Sequence, residues 1–181
     1  MFVPLFNLAN KLFENYSPDT LPILVSIFKT LNLVVFYHIP LVLINNIHQL
    51  MIFCKKILEL PSKDLEPLKI VTLKILVRLY SRHTTSKVEY KLMSFALDFH
   101  QKYSRVMVET FVMQLLNSDN CLEIVNLSLK CLTCIYNNHD ESAEIIDKHR
   151  RRLVDLCIQR FRVGGQFKSG QSIGSYITCL K

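Results

Sequence analysis

Glycine is almost missing from this chain. Its 181 residues contain four, and Gly164, Gly165, Gly170 and Gly174 all fall near the C-terminal end. Residues 1–163 therefore offer no glycine for tight β-hairpin turns or phosphate-cradling loops, which argues for an all-α chain. Charge is also missing locally, since Thr30 to Cys54 holds no Asp, Glu, Lys or Arg. A bilayer span needs about 20 mainly apolar residues. This window instead carries Asn32, His38, Asn45, Asn46, His48 and Gln49 with Pro40 in its middle, which suits two packed helices and a turn better than lipid. No membrane insertion is expected. No basic residue precedes the apolar start, and Lys11 and Glu14 follow it, so it does not read as a secretory signal.

Catalytic motifs are missing as well. The six histidines are scattered, and no HExxH, nucleophile elbow or paired carboxylates occur. Asp140, Glu141 and Glu144 cluster where a helix begins, a place the helix dipole favours for acids. The expectation is a chain that is not an enzyme and takes no cofactor or metal. Cys131 and Cys134 form a CxxC without a second pair at zinc-ribbon spacing. Like the other four cysteines, mostly inside apolar runs, they read as buried free thiols of an intracellular protein.

Half of the residues are hydrophobic, enough for one sizeable core. Proline, capping residues and polar clusters punctuate the apolar runs into helices near 1–15, 21–37, 40–60, 65–82, 87–117, 122–137 and 142–162. Ser17 to Thr20 reads as a capped turn, and a kink is expected near Tyr103 and Ser104. In the 65–82 helix Leu68, Val71, Leu73, Ile75, Leu76 and Leu79 should face inward, with Lys69, Lys74, Arg78 and Arg82 along a charged side. Paired in order, the helices give three antiparallel hairpins, 21–60, 65–117 and 122–162, whose starts are offset by 44 and 57 residues. The first offset matches HEAT or armadillo units of about 40–47 residues, which stack because one hairpin cannot bury its apolar face alone. A compact bundle and a fragment of a larger solenoid fit the same helices; the apolar, uncapped first helix favours the fragment. Two segments are expected, a HEAT-like α-solenoid over 1–162 and a flexible basic tail over 163–181. In the tail, Gly165 and Gly170 have Walker-like spacing, but Gln171 stands where a phosphate-binding lysine belongs and no strand precedes it.

The formal charge of +7 is unevenly placed. Residues 1–147 carry 14 basic and 14 acidic side chains, whereas 148–181 carry 8 basic and one acidic, Asp155. Lys148, Arg150, Arg151 and Arg152 crowd five positions, which motivates a nucleic-acid reading. At helical spacing, however, they spread around the axis and no aromatic platform interleaves them.

Three stretches together resemble the importin-β (karyopherin-β) superfamily, most closely the branch of importins seven and eight and the related exportin that recycles importin-α. One is Leu31 to Pro40, LNLVVFYHIP, an aromatic pair and an Ile-Pro before a helix. Another is Leu73 to His83, LKILVRLYSRH. The third runs from Phe99 to Ser104 through Val106–Leu116 and Leu127–Tyr136 to Ile146-Asp147-Lys148-His149. The resemblance covers about residues 20–162 and implies an internal or truncated segment of a nuclear transport receptor. Its helix pairs would bind cargo proteins and the GTPase Ran, with nuclear Ran-GTP driving assembly and release, in the cytoplasm and nucleus. The second helix of each pair would face inward, making Lys55, Lys56, Glu109, Lys148, Arg151 and Arg152 the candidate partner-binding residues. A generic helical-repeat scaffold and a basic nucleic-acid-associated helical protein are the alternatives.

Overall fold

The computed structural model describes residues 2–37, 41–61, 63–81, 99–117, 119–138 and 140–162. The expected start of the long helix near 87, the opening residue Pro40 and the 163–181 tail lie outside them. The described residues form seven α-helices and no strand. They are α1 (Phe2–Glu14), α2 (Leu21–Tyr37), α3 (Leu41–Glu59), α4 (Glu66–Ser81), α5 (Arg105–Leu116), α6 (Leu122–Asn138) and α7 (Asp140–Arg162). The fold is all-α, built from packed helix pairs of the helical-repeat kind. It divides into two compact units, Met1–Leu79 and Tyr80–Lys181.

In the first unit α1 packs on α2 and α3. The chain enters α2 through a single 3-10 turn, Pro18–Thr20. There the Ser17 N–H donates to Thr20 Oγ1 at 3.0 Å and the Thr20 hydroxyl donates back to the Ser17 carbonyl at 2.8 Å. That reciprocal pair satisfies groups a helix start leaves open. Along α2 the buried residues Leu24, Ile27, Phe28, Leu31 and Val35 follow a 3.6-residue period. Among them Phe28 meets α3 at Phe53, which three rings surround edge-on. Phe6 lies at 5.7 Å, Phe13 at 5.0 Å and Phe28 at 5.5 Å between centroids. Each such pair contributes about 0.5–1.5 kcal/mol beyond its area burial.

One stretch, Pro18–Val35, is long and apolar enough to cross a membrane by length and composition. It lies N-terminal of most of the charge-free window singled out above. Ser26 and Thr30 donate their hydroxyls to the carbonyls of Pro22 and Ser26 four residues back, so these polar groups are satisfied within the helix.

The α4 helix is enclosed almost all round. Leu68, Val71, Leu73, Ile75, Leu76 and Leu79 are buried as expected, but so are Thr72 and Lys69. The charged side foreseen for this helix is therefore incomplete, because Lys69 is only 3% exposed. Desolvation pulls its ammonium below the ordinary lysine range. Arg78 is half-buried, its Nη1 donating to both the carbonyl and Oδ1 of Asn32 in α2, at 2.6 and 2.7 Å.

In the second unit α5, α6 and α7 pack against one another. A π turn at His100–Ser104 leads into α5, where the kink was expected. A π turn absorbs an extra residue, and here it keeps Phe99 and Tyr103 both buried ahead of Met107 and Phe111. Tyr80, Phe99, Tyr103 and Phe111 form the aromatic part of this core, with Tyr80 5.0 Å from Phe99 and 6.0 Å from Phe111. The turn after α5 is closed by Asn120, whose Nδ2 donates to the Gln114 carbonyl at 2.8 Å and to Gln114 Oε1 at 3.2 Å. That contact accounts for a glutamine buried on an otherwise apolar face.

Candidate functional site

The six candidate residues fall in two places. Lys55 and Lys56 are on α3, in the first unit. Lys55 lies 3.6 Å from Glu59 on the next turn of its own helix, an exposed pair worth about 0.3–0.5 kcal/mol. Lys56 is exposed. The other four are in the second unit, Glu109 on α5 and Lys148, Arg151 and Arg152 on α7.

The core determines which side of α7 is left outside. Ile146 and Leu153, seven residues apart, are buried, and His149 is half-buried between them. At about 100° per residue, Lys148, Arg151 and Arg152 share one outward arc of about 100°. Arg150 lies apart from them and pairs with Asp147 at 3.1 Å. The four basic residues thus do not spread evenly: three form an exposed arc and the fourth is held by a neighbour.

On α5 the side opposite the core carries Val106, Glu109 and Met113, at positions i, i+3 and i+7, all exposed. Glu109 Oε1 lies 3.1 Å from His149 Nε2, so this side of α5 adjoins α7. Sequence reasoning missed His149, counting it among scattered histidines, because its partner is 40 residues away. The Arg150–Asp147 pair, by contrast, is at a local i, i+3 spacing open to a sequence reading.

The thiols offer little chemistry. Cys54 and Cys131 are buried, and Cys121 and Cys134 are half-buried; none of the four is in a disulfide. Burial pushes the Cys54 thiol up to about 12, so it is protonated and unreactive at neutral pH. Among the described residues no three His, Cys, Asp or Glu side chains are grouped to hold a metal ion.

No protein-family model, curated protein or solved structure matches the chain.

Proposed function

We propose that this chain is a protein-binding helical scaffold, a segment of a nuclear transport receptor that takes cargo proteins under the control of Ran GTPase and works in the cytoplasm and nucleus. The importin-β resemblance of its helix-end motifs motivates the transport assignment, and the all-α, paired-helix architecture is compatible with it. The single observation that carries the binding role is the exposed arc of Lys148, Arg151 and Arg152 on a helix whose opposite side is core. Glu144 and Asp155 share that arc, which keeps one excess positive charge and forms a surface suited to a charged protein partner.

The test is a pull-down of the full chain with Ran loaded with GTP or GDP, beside a variant carrying Lys148→Glu, Arg151→Glu and Arg152→Glu. GTP-selective capture that the variant loses supports the proposal. Absence of capture, or capture blind to the nucleotide, contradicts the Ran assignment and leaves a generic helical scaffold.

The same arc supports a second reading, binding to nucleic acid, because three phosphate-neutralising side chains lie on one side. That reading requires affinity to fall steeply with salt.

A further inference from the structure

We propose that the adjoining exposed sides of α5 and α7 dock an acidic amphipathic helix of a partner protein. The inference rests on the protein-binding reading above and names the chemistry of the partner.

Two features of the surface determine that chemistry. The first is its apolar stripe. Val106 is 50% exposed and Met113 62% exposed, one helical repeat apart on the side of α5 that faces away from the core. Anchors spaced i and i+7 fit the apolar face of a partner helix. Methionine also adapts to differently shaped side chains at low cost.

The second feature is charge. Glu109 is the only acid among described residues 99–117, and it lies 3.1 Å from His149. Around that contact stand Lys102 and Arg105 from the α5 end, both exposed. From α7, Arg152 stands about 60° and Lys148 about 100° round the helix from His149. Of the exposed acids of α7, Asp147 pairs with Arg150, and Asp155 and Glu144 lie about 20° and 40° beyond Lys148, on the side of Arg151, leaving Arg152 as the α7 cation nearest the contact. Two exposed apolar residues beside Lys102, Arg105 and Arg152, with the one acid between them, Glu109, held by His149, are complementary to a helix with an apolar face bordered by Asp and Glu. The surface is a poor match for nucleic acid. Phe99, Tyr103 and Phe111, the aromatic residues of α5 and its leading turn, are all buried, so none stands out to stack on a base.

The experiment is a fluorescence-anisotropy titration of the full chain into a labelled synthetic peptide, with Leu at i, i+3, i+4 and i+7 and Glu at the flanking positions. Controls are a peptide with each Glu replaced by Lys, a peptide with each Leu replaced by Ser, and an oligothymidylate. Two double variants are compared, Val106→Ser with Met113→Ser and Lys148→Glu with Arg152→Glu, each confirmed as folded by circular dichroism. The expected result is saturable binding of the Leu/Glu peptide, weakened about tenfold or more in each double variant, with all three controls weaker than that peptide. The inference is overturned by no saturable binding, by equal binding in parent and folded variants, or by an oligothymidylate or Leu-less peptide binding as well. The Ran pull-down is read separately. Ran-GTP capture without peptide binding overturns this inference alone, and peptide binding without Ran-GTP capture overturns the transport assignment alone.

Discussion

Arg78 holds Asn32 twice with one nitrogen, donating Nη1 to its main-chain carbonyl at 2.6 Å and to its side-chain Oδ1 at 2.7 Å. The two residues are 46 positions apart, and the contact ties the last turn of α4 to the C-terminal half of α2. Hydrogen bonds to a charged donor contribute about 1.5–3 kcal/mol each when made, but this site is only half-buried. Replacing Arg78 with Ala is expected to lower unfolding free energy by about 1–3 kcal/mol, measured by urea denaturation at unchanged m-value. Arg78→Lys should recover only part of the loss, since the shorter, flexible ammonium stem is less well held at both acceptors than the rigid planar guanidinium whose Nη1 reaches them.

Phe53 is the centre of the first unit, with Phe6, Phe13 and Phe28 edge-on around it. Truncation to Ala leaves a cavity between three helices and is expected to cost about 3–5 kcal/mol in denaturant unfolding. Phe53→Leu keeps most of the volume and should cost clearly less. Equal losses in the two variants would mean that the ring contacts contribute nothing beyond volume.

Lys69 makes stability depend on pH with a defined sign. Its folded-state pKa lies below the unfolded value of 10.5, so between the two the unfolded chain binds more protons. Its unfavourable contribution is fully present below the folded pKa and fades as pH rises towards 10.5. Lys69→Met should therefore be more stable than the parent at neutral pH, with the difference narrowing as alkaline pH is approached. Tyr103 and Cys54 titrate in the same alkaline region with their pKa values raised, but both are present in the two chains, and the parent-minus-variant difference isolates Lys69.

The Cys54 thiol, buried and pushed up to about 12, should resist alkylation in the native chain. Peptide mapping after a brief iodoacetamide pulse at neutral pH is expected to find Cys121 and Cys134 modified well before Cys54. Reaction of Cys54 should wait for opening of the first unit and accelerate in urea.

Much of the fold was legible in the sequence because its signals are local. Glycine-free helices, the Ser17–Thr20 turn, Pro61 after α3 and the buried set of α4 all follow from spacing and backbone chemistry. The unusual turn near Tyr103 was foreseen as a kink, though no local signal identified it as a π turn. Lys69 misled because a lysine beside apolar positions reads as a helix border, whereas the fold buries it. The candidate surface was half legible. The exposure of Lys148, Arg151 and Arg152 follows from helical spacing against Ile146 and Leu153. The role of His149 and the way Glu109 adjoins α7 depend on a contact across 40 residues. The stripe of Val106 and Met113 went unread because apolar residues on a core helix are normally inward.

The most direct measurement of the central claim is a titration of the full chain with Ran in its GTP-bound and GDP-bound forms at matched salt. The account predicts saturable binding at least about tenfold tighter to the GTP form, a difference of about 1.4 kcal/mol, reduced by charge reversal at Lys148, Arg151 and Arg152. Equal affinity for the two forms, or no binding by a chain whose circular dichroism shows folded helices, would contradict it.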